Sequence, residues 1–273
     1  MTATTLAARP DTRLSAIGIV RSEWIKLRSV RSTVWSYAIV VAASIGIAAL
    51  LASSFGFGEP VPDPTRNNLN IVQTATFGLY IGQLVVAVLG VLVISGEYST
   101  GMIRSTLTAV PKRLPALAAK AVVLFVTTFV VGLISVFAAL LVALPILSGF
   151  DITADFSDSS LLGNLVLAAL YLGLVALFAL GLGTVLRSSA GGIAAALGVI
   201  LLLPTILQLI AGLTQAQWAL DLMPYLFSNA GTGMFTESFD PNGLEQWQNT
   251  LVVVAWVAVS LIAGAVLLKR RDA

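Results

Sequence analysis

Apolar stretches of membrane-spanning length recur six times along the chain, at about Val34–Ser53, Thr74–Ser95, Ala116–Leu147, Leu161–Leu186, Gly192–Leu213 and Thr250–Leu268. Crossing the hydrocarbon core of a bilayer takes roughly 20 apolar residues in a helix. The strands of a membrane barrel would instead be about 10 residues long with alternating polarity, and no segment here alternates that way. The pattern therefore predicts an all-α polytopic membrane bundle of six transmembrane helices. The spans are rich in Leu, Val, Ala and Gly, and small residues let membrane helices approach closely. The two halves show no convincing internal repeat, which counts against an inverted-repeat transporter. The expectation is a single membrane domain over residues 1–273.

Three segments outside the spans carry their own patterns. Over residues 13–33, Ile17, Val20, Trp24, Leu27 and Val30 recur at spacings of three and four, one apolar stripe on a helix. Arg21 and Arg28 flank the stripe on one side and Lys26 on the other. A helix with Trp on its apolar face and basic residues at its margins lies in the membrane interface. The plainer alternative is that these residues only orient the first span. Glu23 falls near the stripe, so it is expected to pair with a basic residue of the bundle or of a partner. In residues 96–113, Gly96 and Gly101 bracket a turn, Ser99 or Thr100 is placed to cap a short helix through about Ala109, and Pro111 stops it. Met102, Ile103, Leu107 and Val110 give that helix an apolar side among Arg104, Lys112 and Arg113. Residues 214–249 hold Trp218, Tyr225, Phe227, Phe235, Phe239 and Trp247, broken by Pro224, Gly231, Gly233, Pro241 and Gly243. That is too aromatic for a solvated loop and too broken for one helix. Short re-entrant or interfacial helices are one reading, and an aromatic belt at headgroup level is the other.

Composition agrees with a membrane protein. Of 273 residues, 58% are hydrophobic and 10% charged, and the mean hydropathy is +0.96; soluble domains are about 45–50% apolar and about 25% charged. The distribution of charge supplies orientation. Six Lys/Arg precede the first span, four lie between spans two and three, one lies between four and five, and three follow span six. The opposite side carries only Arg66, together with Glu59, Asp63, Asp151, Asp155, Asp158, Asp221, Glu237, Asp240 and Glu245. Basic residues concentrate in cytoplasmic loops, so both termini are expected in the cytoplasm of a multi-pass protein of the cell membrane. The basic N-terminal stretch, followed by six spans, does not resemble a cleaved signal peptide. The basic patches suit anionic headgroups, and no aromatic–basic motif supports nucleic-acid binding.

The candidate chemistry is narrow. The chain has no His and no Cys, which removes His- or Cys-built metal sites, thiol nucleophiles, Ser–His hydrolysis and disulfides. The exposed serines near Tyr98 and Arg187 read as turn and cap residues, not nucleophiles. No catalytic or metal-binding residues are expected. Few ionisable residues fall within spans. Lys120 is the main one, placed to snorkel to the interface, and Glu97 lies just beyond span two. Intramembrane charges usually mark ion or proton paths, so proton-coupled transport is disfavoured, while sodium coupling through carbonyls and hydroxyls remains open. No Gly-x-x-x-x-Gly-Lys-Ser/Thr stretch occurs, so the chain has no phosphate-binding loop of its own. Pro204 within span five and Pro145 near the end of span three are positions for kinks.

The stretch Gly96–Arg113 resembles the cytoplasmic loop after the second helix of ABC-2 type transporter permeases, where an acidic residue, a glycine, a short helix and a Pro-x-Arg ending recur. Pro111-Lys112-Arg113 matches the ending, and Gly101-Met102 stands where many relatives have Gly-Thr. Arg21–Ser29 is similar to the connecting helix before the first span of that family, with Arg21, Glu23, Trp24, Lys26 and Arg28 its interfacial residues. The resemblance implies that the loop is a coupling helix docking in a cleft of a separate ATP-binding cassette subunit, which binds ATP and Mg. Glu97, Tyr98, Gly101, Arg104 and Leu107 are the implied contacts. It also implies pairing with a second permease chain, identical or related, a pathway lined by spans two and five, and residues 214–249 capping its outer end. The expected function is the permease subunit of an ATP-driven exporter of lipophilic or amphiphilic cargo, with no cofactor or catalytic step in this chain. The rivals are an ion-gradient-driven secondary transporter, a membrane enzyme, and a non-transporting membrane partner of an ATPase.

Overall fold

The computed structural model describes residues 15–55, 67–236 and 243–270. These residues form no strands and six helical passes long and apolar enough to cross a membrane. A short helix α1 (Ala16–Ser29) precedes the first pass, α2 (Arg31–Ser54). The second pass is broken into α3 (Asn67–Thr76) and α4 (Leu79–Ser99), and is followed by the short α5 (Met102–Ala109). Passes three and four are α6 (Leu114–Ser148) and α7 (Ser159–Leu186). Pass five joins α8 (Ser189–Leu197), a π-helical turn at Gly198–Leu202 and α9 (Leu203–Thr214). After α10 (Gln217–Leu222), a 3₁₀ turn (Met223–Tyr225) and α11 (Phe227–Gly233), the sixth pass is α12 (Gln246–Arg270). Residues 13–14 of the expected interfacial helix, and Glu59, Asp63, Arg66, Glu237, Phe239, Asp240 and Pro241, lie outside the described residues.

Local sequence explains the breaks. Ser15 caps α1 by accepting a hydrogen bond from the Gly18 amide (3.0 Å). Val30 is extended, so the chain bends there and Arg31–Thr33 belong to the first pass instead of to the preceding helix. Asp158 caps α7 by accepting from the Ser160 amide (2.9 Å). Pro204 has no N–H to give to the Ile200 carbonyl and its ring crowds that carbonyl. The helix answers with a π turn over Gly198–Leu202, where the Leu203 amide bonds the Gly198 carbonyl. The expected kink in span five is therefore a widened turn just before the proline.

The bundle is arranged around α7. Of its apolar window 72% is buried, against 17% for passes one and five, and it packs on α4, α6 and α12. In lipid there is little hydrophobic drive between helices, so close packing and interhelical hydrogen bonds hold them. Gly90 of α4 is an example of the packing: a Cβ there would sit 2.6 Å from the Ala176 carbonyl oxygen of α7. Hydrogen bonds link Tyr37 to Thr128 (2.8 Å), Ser95 to Ser189 (2.9 Å), and the Tyr171 hydroxyl to Gln83.

The chain between passes five and six turns back along the bundle. Gln215 takes a left-handed conformation (φ 54°), and Ala219 and Leu226 then pack against Leu207 and Ala211 of α9. The Trp256 indole donates to the Tyr225 carbonyl (3.0 Å). Trp256 lies ten residues into α12, about 15 Å along the axis, so the turn at Met223–Phe227 reaches that depth. Phe227 is fully buried there, stacked on Phe178 with ring centroids 4.4 Å apart and tilted against Tyr171 at 5.9 Å.

Gly90→Ala is expected to lower the melting temperature of the detergent-purified chain, by the ~1–3 kcal/mol typical of forcing a methyl into a packed interface. Gly46→Ala, where an added Cβ meets nothing within 4 Å, is expected to leave it unchanged or raise it.

Candidate functional site: a charged clamp beneath the spans

Among the described residues, the basic side chains that precede, separate and follow the passes gather at one end of the bundle, where α1, α5 and the ends of α4, α6, α7 and α12 meet. Four charged side chains join α1, α4 and α6. Glu23 of α1 and Glu97 of α4 are each only 4% exposed in their side chains, and Lys120 of α6 is 5% exposed. The Lys120 ammonium donates to Glu23 Oε2 at 2.6 Å and to Glu97 Oε1 at 2.9 Å. Lys26 of α1 donates to Glu23 Oε1 at 2.7 Å, to Glu97 Oε1 at 3.0 Å and to the Thr106 hydroxyl at 3.2 Å. The Thr106 hydroxyl in turn donates to Glu97 Oε2 at 3.3 Å, so α5 is joined to the same cluster. Two carboxylates and two ammoniums thus neutralise one another, which removes most of the cost of taking each out of water. Burial works to lower the Lys26 pKa, but hydrogen bonds and charge from Glu23 and Glu97 outweigh it and hold the ammonium above the usual lysine range.

The cluster answers the expectation for Glu23, which pairs with a basic residue of the bundle. It corrects that for Lys120. Instead of snorkelling to the surface, Lys120 is held inside, because two carboxylates from other helices meet its ammonium within hydrogen-bond distance. The residues proposed for interfacial contact divide. Glu23 and Leu27 turn to the bundle and Lys26 is partly covered, while Arg21, Trp24 and Arg28 are exposed, beside Ile17, Val20 and Ile25.

The loop after pass two divides likewise. Glu97 is turned inward. Tyr98 is half-buried, with the Arg187 guanidinium 5.2 Å from its ring centroid. Gly101 and Arg104 are exposed and Leu107 is partly so, while Ile103 is buried against the core. The cap of α5 also differs from expectation. The hydroxyls of Ser99 and Thr100 bond back to the Gly96 carbonyl at 3.0 and 2.8 Å, closing α4. Gly101, left-handed at φ 72°, starts α5 with no side-chain cap. The helix ends at Ala109, before Pro111.

Two arginines have partners that the sequence did not show. Arg113 at the start of α6 donates to the Leu268 carbonyl (3.0 Å), and Arg187 at the end of α7 to the Leu267 carbonyl (3.4 Å). Both occupy positive-φ positions, 56° and 52°. They satisfy carbonyls in the last turn of α12, which lack intrahelical partners and lie at the negative end of the helix dipole. Their positions, at a helix start and a helix end, were legible in sequence; their partner, about 80 to 155 residues away, was not.

The family description "ABC-2 family transporter protein" matches residues 19–203, about two thirds of the chain, from α1 through the π turn of pass five. The protein belongs to the ABC-2 transporter family. It is therefore a multi-pass membrane protein and a permease component of an ABC transporter. No curated protein matches the chain. In this permease the clamp unites the helix before the first span, the end of span two, the loop after it and span three, all within the matched region.

Lys120→Met leaves two buried carboxylates sharing one ammonium. Breaking a buried pair this way costs about 3–5 kcal/mol, read as lowered resistance to chemical denaturation in detergent. Lys26→Met is expected to cost less, because that side chain is 32% exposed and water screens it. Combining Lys120→Met with Glu97→Gln is expected to recover part of the loss.

Proposed function

We propose that this permease works with a separate ATP-binding cassette subunit, which hydrolyses ATP with Mg, and that α5 is the coupling helix seated in a cleft of that subunit. The observation that carries the reading is the shape of the loop. A two-turn helix starts on an exposed left-handed glycine, buries Ile103, and leaves Met102, Arg104, Ser105 and Thr108 facing outward. Short amphipathic helices of this kind suit a groove on another protein. Gly101, Arg104 and Leu107 would make the contact. Glu97 and Tyr98 would carry displacement inward, Glu97 through Lys120 and Lys26, and Tyr98 through Arg187 to the end of α12. When ATP draws two such subunits together, movement of α5 passes to α1, α4 and α6 as a connected body, because the charges joining them have no cheaper partner to exchange for. ATP can drive such a shift only by binding the two states unequally.

The fourteen-to-one distribution of Lys and Arg supports a cytoplasmic basic end, with both termini on the cytoplasmic side of the cell membrane. In that orientation the exposed apolar face of α1, with Ile17, Val20 and Trp24, lies in the headgroup region, and residues 214–236 form a re-entrant segment entering from outside. Passes one and five leave most of their apolar surface uncovered in the single chain, which supports association with a second permease chain. The apolar character of spans two and five favours a lipophilic or amphiphilic cargo, moved outward.

Arg104→Glu combined with Ser105→Glu, both at exposed positions, is expected to abolish ATP-dependent transport in reconstituted vesicles and to release the ATPase subunit in a pull-down, with the melting temperature of the permease unchanged. Full transport by this variant, or transport by the wild-type chain purified alone and without ATP, would overturn the reading.

A further inference from the structure

The charged clamp forms one wall of a cavity of about 350 Å³ between α1 and the first three passes, within the range of about 300–1,000 Å³ usual for small-molecule sites. Its other walls are mostly apolar, from Leu89, Val93, Val123 and Leu124, with the hydroxyl residues Ser32, Thr33 and Thr100 among them. Val30, Leu92 and Met102 also line it and are substantially exposed. Leu92 lies on the second pass and Val30 just before the first, so on that side the exposed apolar rim faces the bilayer, while Met102 of α5 marks its other end. Lys120 lies six residues into α6, about 9 Å along its axis, so the cavity runs from headgroup depth into the acyl region of the nearer leaflet.

Two features say what enters. The polar wall is already neutral, with two carboxylates against two ammoniums, so the occupant need carry no charge inside. Its hydrogen bonds are not balanced, however. Lys26 donates to three acceptors, but Lys120 to two among the described residues, and an ammonium has three N–H donors. The remaining donor suits an uncharged carbonyl oxygen. Outside, Arg28 and Arg31 are exposed on either side of Val30 in the chain, as cations for a phosphodiester. We propose that the cavity holds one acyl chain of an anionic glycerophospholipid from this leaflet. Its ester carbonyl rests on Lys120 and its phosphate lies by Arg28 and Arg31. The lipid is then a resident component beside the clamp, distinct from any transported cargo.

The test uses the full chain in phosphatidylcholine vesicles doped with phosphatidylglycerol bearing a photoactivatable acyl chain, without ATP or cargo, so its outcome does not depend on the transport reading. Labelled peptides are mapped by mass spectrometry. Label is expected to concentrate on residues 89–96 and 120–124, above the background on the exposed face of α9. Gly96→Leu places a side chain in the cavity from a position where an added Cβ meets nothing within 4 Å, and is expected to reduce the cavity label to that background. Leu92→Trp, at the rim, is a second blocking variant should the first fold poorly. Arg28→Ala with Arg31→Ala is expected to erase the preference for phosphatidylglycerol over an equivalent photoactivatable phosphatidylcholine. Even labelling around the bundle, cavity labelling unaffected by both blocking variants, or no headgroup preference in the wild-type chain would overturn the proposal.

Discussion

Two buried glutamates, a buried lysine and a half-covered one at the basic end hold together pieces of chain that packing alone would leave loosely joined. Hydrocarbon contributes little net attraction between apolar helices in a membrane, and α1 and α5 are too short to be stable helices by themselves. The clamp supplies what length and burial do not. Glu97 and Glu23 each bond both Lys26 and Lys120, so none of the four charges can leave without stranding another in a nearly dry site. The arrangement is stiff for that reason. It ties the helix before the first span to the loop after the second through a lysine in the third.

The rest of the bundle follows a different rule. Around α7, small residues allow contact at backbone distance, as at Gly90 and Ala176, and hydroxyls bridge neighbouring helices. Passes one and five, which gain least from this packing, keep apolar faces open to lipid or to another chain. The π turn before Pro204 lies against α11, which carries the aromatic cluster of Phe227 down to Phe178. A widened turn and a returning segment meet at one level of the bundle, so a change in either is felt by the other. At the basic end, Arg113 and Arg187 bind the last carbonyls of α12. The sixth pass, far from the clamp in sequence, is thereby tied to the same surface.

The six spans were legible because the requirement is one-dimensional. A stretch of apolar residues long enough to cross hydrocarbon must be helical, whatever its neighbours are, and five of the six helices extend the expected window by only a few residues, while the second runs from Asn67 to Ser99 with a break after Thr76. The short α5 was legible for a similar reason, since Gly101 and Pro111 bound it locally. The cap was misread because Ser99 and Thr100 have a nearer use for their hydroxyls, the Gly96 carbonyl that ends α4. The family was legible from the order of short motifs, each loose alone.

Composition and periodicity by themselves determined the class of the protein, the number of passes, the asymmetry of charge between its two ends, and the lack of His and Cys. Only the tertiary structure decided what Lys120 does. A lone lysine near a helix end reads as a snorkelling residue, because sequence shows its depth but not its partners. Those partners, Glu23 and Glu97, stand 97 and 23 residues away. A buried charge is governed by whichever opposite charge reaches it in space, and that distance exists only once the helices have packed.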